Sequence, residues 1–273
     1  NVPVLKILKK KKRLGGAANV ALNIKKLGLP VTLASVAGKD KASTELMTII
    51  NSFKLNKKFY FDDAIKTVQK IRQYSDDKYL FRTDIEKDII YDEQLLVQNV
   101  QELDFNILVL SDYNKGTIKN PQKYIELASQ TGAKTIVDPK KDFYLYKGAD
   151  VIKPNLPEFL EWANLSLTFD IYTFIDDNKP FLKSLPKELS IPNIIVTIGK
   201  KGCMWITSDF IKVIPSPTVK SVDPTGAGDS FIAGLICGLS IEQDMYHAII
   251  TANQVAALST TKKGTSYVRR NEI

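Results

Sequence analysis

Short apolar runs rich in β-branched residues alternate with stretches of helical periodicity from residue 17 onward, which predicts a mostly parallel sheet covered by helices. Ile107-Leu108-Val109-Leu110 reads as a buried strand, followed by a helix from Pro121 to Gln130. Thr135-Ile136-Val137 is a second strand, ending at Asp138-Pro139. The unit recurs at Asp150-Val151-Ile152 before Pro154, and at Ile194-Ile195-Val196-Thr197 before Gly199. Ser111, Asp138, Asn155 and Thr197 therefore fall at or just after strand C-termini, the edge at which open α/β sheets bind ligands.

Residues 57–86 break this rhythm. Phe59, Tyr60 and Phe61, then Val68, Ile71 and Tyr74, then Tyr79 to Phe81 read as short strands joined by the polar turn Ser75-Asp76-Asp77. They are expected to form a small β element projecting from the main domain. No internal repeat, low-complexity tract or long Pro/Gly linker divides the sequence, so 1–273 is expected to be one domain with 57–86 inserted in it. That length suffices for one large α/β domain with a sizeable core.

Composition narrows the class. With 44% hydrophobic and 25% charged residues, and no apolar run of bilayer length, the sequence reads as a soluble globular protein. The opening Asn1 to Leu8 lacks the order of charge, apolar block and small-residue cleavage site of a secretion signal, so a cytoplasmic location is expected. Cys203 and Cys237 lie far apart in apolar surroundings and His247 is the one histidine, which fits a reducing compartment without structural zinc. The net charge of +8 is spread along the chain except at 9–13, where no aromatic residues are interleaved for base stacking. That cluster reads as a solvated face, and neither a nucleic-acid nor a membrane partner is expected. A basic field suits phosphorylated ligands, whose encounter rate it raises.

The strongest chemical signal is Asp223-Pro224-Thr225-Gly226-Ala227-Gly228-Asp229-Ser230-Phe231, followed by an apolar helical stretch through Gly238. Small residues at Gly226, Ala227 and Gly228 let successive backbone N–H groups point into one concavity at a helix N-terminus, where the dipole also favours an anion. A phosphoryl group in transfer would fit there. Asp229 then begins the helix beside the hole, placed to accept a proton from an attacking hydroxyl. A plain helix cap would account for Asp229 alone, but not for the glycines before it together with the strand-end residues upstream. No Gly-x-x-x-x-Gly-Lys-Ser/Thr is present, and Gly226-Ala227-Gly228 lacks the third glycine of Gly-x-Gly-x-x-Gly, so the P-loop and dinucleotide readings fall.

Asp223 to Asp229 resembles the C-terminal signature of the ribokinase-like (PfkB) carbohydrate kinases, and Gly15-Gly16-Ala17-Ala18-Asn19-Val20-Ala21 with Gly28 and Gly38 resembles their N-terminal signature. Further segments resemble the D-glycero-β-D-manno-heptose-7-phosphate kinase branch of that family. They are Leu14 to Leu27, Thr67 to Arg72 with Arg82-Thr83-Asp84, Val109 to Gly116, Val137 to Lys140, Pro154 to Phe159 and Lys263 to Ser266. Ser-Asp-Tyr-x-Lys-Gly at 111–116 and Asp-Pro-Lys at 138–140 favour that branch over ribokinase or fructokinase. Two departures stand out. The match begins after the family's first strand, whose Gly-Asp pair contacts sugar hydroxyls, and the 273 residues hold no counterpart of the nucleotidyltransferase to which the heptose kinase is fused in many bacteria.

The resemblance implies a ribokinase-like open α/β/α sandwich with 57–86 as its lid, ATP and Mg²⁺ as cofactors, and a homodimer through the lids. It implies transfer of the γ-phosphoryl to the anomeric hydroxyl of heptose 7-phosphate, giving the 1,7-bisphosphate of ADP-heptose and lipopolysaccharide core synthesis. The alternatives are another sugar or sugar phosphate (ribose, fructose, fructose 1-phosphate) or a non-catalytic sugar-binding relative; the intact Asp229 and Gly226 to Gly228 speak against the last. By resemblance, Asn155 and Glu158 hold the water shell of Mg²⁺, although the same spacing also describes a helix N-terminus with a favourable acid. Thr197, Gly199 and Gly202 form the turn under the ATP phosphates, or an ordinary strand connection. Asn253 and the segment with Gly264 lie on the adenine side, though Asn253 equally fits a plain helix face. Gly15, Gly16 and Asn19 bring backbone and amide close to the sugar. Lys70, Arg72, Arg82 and Lys115 are the cations for a distal phosphate, a dianion that guanidinium binds bidentately.

Overall fold

The computed structural model describes residues 6–75, 78–140, 142–167, 169–241 and 244–273. Strands β5 (Ile107–Ser111), β6 (Lys134–Asp138), β7 (Val151–Ile152) and β8 (Asn193–Thr197) run parallel, and β9 (Cys203–Ile206) and β10 (Ile211–Ile214) extend the sheet antiparallel, in the order β10-β9-β8-β7-β6-β5. Successive residues of these strands feed two cores. Val137, Ile152, Ile194, Val196, Met204 and Ile206 pack against α3 (Gln94–Gln101), α4 (Pro121–Gln130), α5 (Leu156–Ala163) and α6 (Ile171–Leu189). Their neighbours Ile136, Val151, Ile195, Cys203 and Trp205 pack against α1 (Ala17–Lys26), α7 (Ala227–Ser240) and α8 (Met245–Thr260). Burial on both faces explains why the strands read as continuous apolar runs. Each fully buried aliphatic side chain contributes about 1.5–3 kcal/mol. The result is the α/β/α sandwich that the pattern and the resemblance imply.

Local signals set the element ends. α4 starts where Asn120 accepts a hydrogen bond from the Gln122 amide and Pro121 occupies the first turn, which needs no N–H there. The strands expected at 107–110, 135–137, 150–152 and 194–197 and the helix expected at 121–130 stand at Ile107–Ser111, Lys134–Asp138, Val151–Ile152, Asn193–Thr197 and Pro121–Gln130. Among the described residues, no helix is long and apolar enough to cross a membrane.

Residues 57–86 do not form one element. β1 (Thr32–Gly38) and β2 (Asn56–Asp62) pair in parallel, joined by α2 (Lys41–Ser52), and this unit packs on α1 through Ala18, Leu22, Leu33, Ile50 and Leu55. Phe59, Tyr60 and Phe61 therefore belong to the body of the protein. Only β3 (Gln69–Ser75) and β4 (Lys78–Ile85) form an antiparallel hairpin. The turn expected at Ser75-Asp76-Asp77 falls, at Asp76 and Asp77, outside the described residues. Residues of β1 and β5 line a cleft of about 2470 Å³, whose lining also includes Asp138 and Thr197 at the ends of β6 and β8 and residues 222–229 at the start of α7.

Candidate active site

The loop before α7 turns at Gly226, whose φ of 85° lies in the left-handed region. A Cβ there would come within 3.0 Å of Asn19 Nδ2, so a side chain would be strained and would crowd the neighbouring helix. No side chain caps α7. Asp229, in the first turn, does not cap it either. Its Oδ2 accepts from Asn19 Nδ2 at 2.7 Å and its Oδ1 from the Tyr113 hydroxyl at 2.8 Å, so both oxygens are oriented by groups far away in sequence. The plain-cap alternative thus fails on geometry.

Asp229 is 6% exposed. Burial pushes its carboxyl above the ordinary value, the Asn19 and Tyr113 hydrogen bonds pull it back, and the charge of Asp138 adds to the rise. Burial and the adjacent Asp229 likewise hold the Tyr113 hydroxyl firmly protonated. Asn19 is fixed in turn. Its carbonyl accepts from Asn23 Nδ2 at 2.9 Å, and Asn23 Oδ1 accepts from Ser230 Oγ at 3.2 Å, so a buried polar chain ties α1 to α7. Asp223 accepts from the amides of Thr225 (2.9 Å) and Gly264 (2.8 Å), which joins the 223–226 turn to the loop at 264.

One part of the expected anion hole is corrected. The Ala227 N–H donates to the Pro224 carbonyl at 3.1 Å and closes the turn, so the hole rests on Gly226 and Gly228. Asn155 and Glu158 both line the cleft. They also form a reciprocal capping box on α5: Asn155 Oδ1 accepts from the Glu158 amide, and Glu158 Oε2 from the Asn155 amide, each at 2.9 Å. The other oxygen of Glu158 pairs with Lys140. Thr197 stands beside Asn155 in an isolated parallel bridge.

The remaining assignments divide. Gly15, Gly16, Lys70, Arg72, Lys115 and Gly264 line the cleft. Lys115 is already paired with Glu86 at 2.6 Å. Arg82 is absent from the cleft lining, with its Nε 2.8 Å from Asp84 Oδ1, so it is not brought to the site. Gly199 and Gly202 shape the β8–β9 turn without lining the cleft; Gly202, at φ 102°, passes so close to β10 that a Cβ would meet the Ile214 carbonyl. Asn253 is buried and donates to the carbonyls of Ile214 (3.1 Å) and Pro215 (3.3 Å), satisfying backbone beyond the end of β10 instead of reaching a ligand.

Three cleft residues escaped the sequence reading of the site: Tyr113, Lys140 and Lys153. Tyr113 lay within the segment used to recognise the family branch, and its ring fills the space beside Gly16, 3.4 Å from where a Cβ would stand. Lys70 Nζ sits 5.7 Å from the same ring. Lys153 directly follows β7, at the ligand edge of the sheet, which is a signal the sequence offered.

Among the described residues, no cluster of three or more His, Cys, Asp and Glu side chains could hold a metal by itself. Asn155 and Glu158 bring side-chain oxygens to the cleft, and these would suit a hydrated Mg²⁺ ion reached through its waters.

The family model described as pfkB family carbohydrate kinase matches residues 3–271. Among curated relatives, "Bifunctional protein HldE" of Shewanella sediminis is 38% identical over 278 residues and that of Pseudomonas fluorescens (strain Pf0-1) 34% over 276, each alignment covering all of this chain. The chain spans 57% of the length of these relatives. Among solved structures, ribokinase from Thermotoga maritima superposes with a TM-score of 0.75 at 22% identity, covering 99% of this chain and 89% of its own. Phosphofructokinase-2 from Escherichia coli, solved with potassium, gives 0.79 at 20%, covering 98% and 90%. The fold is therefore ribokinase-like.

Proposed function

The chain belongs to the pfkB family of carbohydrate kinases, and on that premise we propose that this ATP-dependent sugar kinase phosphorylates D-glycero-β-D-manno-heptose 7-phosphate at its anomeric hydroxyl. The observation that carries the reading is a buried, doubly oriented carboxylate in a cleft that cations also line: Asp229, held by Asn19 and Tyr113, with Lys70 and Arg72 on the hairpin strand β3. The likeness of 111–116 and 138–140 to heptose-7-phosphate kinases supports the choice of acceptor.

The acceptor hydroxyl approaches Asp229, which takes its proton as the oxygen attacks the γ-phosphorus. The bond between that phosphorus and the β–γ bridging oxygen breaks, and ADP leaves with the electron pair. Amides at Gly226 and Gly228, at the positive end of α7, stabilise the charge on the moving group. Asn155 and Glu158 would hold Mg²⁺ through its waters, and the ion would supply charge neutralisation to the phosphates of ATP. Lys70 and Arg72, with Lys115 in exchange for Glu86, hold the distal phosphate. The β3–β4 hairpin acts as a lid, and its exposed Ile71, Tyr74, Tyr79, Leu80 and Phe81 are the surface through which two copies pair. A monomer in sedimentation at working concentrations would refute the pairing. The setting is cytoplasmic and the 1,7-bisphosphate feeds ADP-heptose synthesis.

The decisive experiment is phosphoryl transfer from ATP to purified heptose 7-phosphate, with the position of the new phosphate read by NMR. Preference for ribose or a phosphate-free hexose in a substrate panel would overturn the assignment.

A further inference from the structure

The two partners of Asp229 differ in kind. Asn19 is 1% exposed and does not line the cleft, so it holds Oδ2 from within the protein. Tyr113 does line the cleft, on the loop after β5, and its hydroxyl covers Oδ1 at 2.8 Å. The ring lies beside Gly16, 3.4 Å from where a Cβ would stand, and uses the room the glycine leaves. Its main chain is pinned: the Asp112 amide donates to the Asp138 carbonyl at 3.0 Å and the Asn114 amide to Asp112 Oδ1 at 2.7 Å. Movement of Tyr113 is therefore a change of side-chain rotamer. A base must come within hydrogen-bond reach of the hydroxyl it deprotonates, yet Asp229 is 6% exposed, which leaves little room for a second oxygen beside that of Tyr113. A ring at the glycine turn with a hydroxyl on the base has the outline of the acceptor itself. Burial and the adjacent Asp229 keep that hydroxyl protonated, so it donates and never reacts.

Resting on the reading of Asp229 as the base, we infer that Tyr113 decides which hydroxyl is activated: in the free chain its side chain holds the acceptor's place, ring beside Gly16 and hydroxyl on Asp229, and it yields to a sugar but not to water. A sugar supplies both a ring to cover the glycine turn and a hydroxyl to bond Asp229, so the exchange leaves neither unmet. Water supplies only the hydrogen bond and leaves the contacts of the ring unmade. The reaction suppressed is hydrolysis, in which a water oxygen attacks the γ-phosphorus, the bond to the β–γ bridging oxygen breaks, a proton of the water passes to Asp229, and ADP and phosphate leave. Lys70, whose Nζ stands 5.7 Å from the ring, is released to the acceptor by the same movement.

The test reads ADP release from ATP and Mg²⁺ with no sugar present, so it does not depend on which sugar is the acceptor. Tyr113→Phe keeps the ring and deletes the oxygen, which leaves room for one water on Asp229 Oδ1. Hydrolysis without acceptor should rise by about tenfold to hundredfold, the worth of a hydrogen bond to a charged group, and KM for the sugar should fall, because the acceptor no longer displaces a bonded hydroxyl. Tyr113→Leu, which withdraws the ring as well, should show the same rise, and Tyr113→Phe combined with Asp229→Asn should lose it. Hydrolysis at the unaltered rate in both single variants, with Tm retained, would overturn the proposal, as would added hydrolysis that survives in the double variant. A lower kcat toward sugar without added hydrolysis would overturn it too, leaving Tyr113 a fixed brace of the base. Asp229→Asn alone separates the two ideas: retained transfer to sugar there sinks the reading of the site itself, whereas lost transfer with no added hydrolysis in Tyr113→Phe sinks only the role of the tyrosine.

Discussion

Replacing Asp229 with asparagine separates chemistry from architecture, because the two oxygens of the carboxylate have different neighbours. Asn19 Nδ2 can only donate, so the new amide must turn its oxygen toward Asn19 and its NH₂ toward Tyr113. The Tyr113 hydroxyl can rotate to accept, which keeps both hydrogen bonds and the position of α7. What disappears is the capacity to take a proton. The loss in kcat should be about 10²- to 10⁴-fold, or about 2.7–5.4 kcal/mol in the barrier. Stability should move the other way. Burial raises the folded-state pKa of Asp229, so the contribution of this group is fully present below its ordinary pKa and is lost as pH rises through the raised value. Above that window the wild-type chain buries a charge that the variant lacks. The Tm of Asp229→Asn minus that of the wild type should therefore increase with pH across the acid range, and the variant should be at least as stable near neutrality. The assay is kcat at saturating ATP and sugar, paired with thermal unfolding across pH. Less than a few-fold loss of kcat, or a neutral-pH loss of Tm in step with activity, would refute the argument.

Three further outcomes follow from the same geometry. Glu158→Gln should keep the α5 capping box, since glutamine serves at that position, yet raise the Mg²⁺ concentration for half-maximal activity; an unchanged midpoint in a titration of free Mg²⁺ removes Glu158 from the metal's surroundings. Arg72→Ala should raise KM for heptose 7-phosphate by roughly tenfold to hundredfold, the equivalent of about 1.5–3 kcal/mol for a charged contact, and Lys115→Ala by less, because Glu86 already competes for that ammonium. Unphosphorylated heptose should be indifferent to both, and equal losses on the two acceptors would assign these side chains to the lid or the sugar ring. Tyr113→Phe removes a hydrogen bond that holds the Asp229 carboxyl down, so the acid limb of the kcat/KM profile should move to higher pH; an unmoved limb would show that another group sets it.

Periodicity made the sheet and the C-terminal edge of its strands legible, and the glycine run the turn before α7, because all three are written in neighbouring residues. The strand ends at Asp138 and Thr197 and the turn at 226 need no knowledge of distant partners. Pairing does need it. Phe59, Tyr60 and Phe61 read as part of a projecting β element, yet β2 finds β1 across a helix and packs Phe59 and Tyr60 partly buried against the cores of the domain, a partnership no local pattern encodes. The same limit applies within the site. Asp229 depends on Asn19 and Tyr113, which are 210 and 116 positions away, and Tyr113 carries no mark that distinguishes a ligand tyrosine from a packing one.

Polar residues misled in the opposite direction where backbone was the hidden partner. Asn253 stands on a helix beside the motif and resembles a ligand group, but its amide donates to the carbonyls of Ile214 and Pro215 at the end of β10, and a buried carbonyl must be bonded to something. Arg82 likewise shares a matched segment with Lys70 and Arg72, but Asp84 two positions on engages its guanidinium. For Asn253 and Arg82 an internal partner thus accounts for the side chain without a ligand, whereas Asp229 faces the cleft even with both of its oxygens hydrogen-bonded.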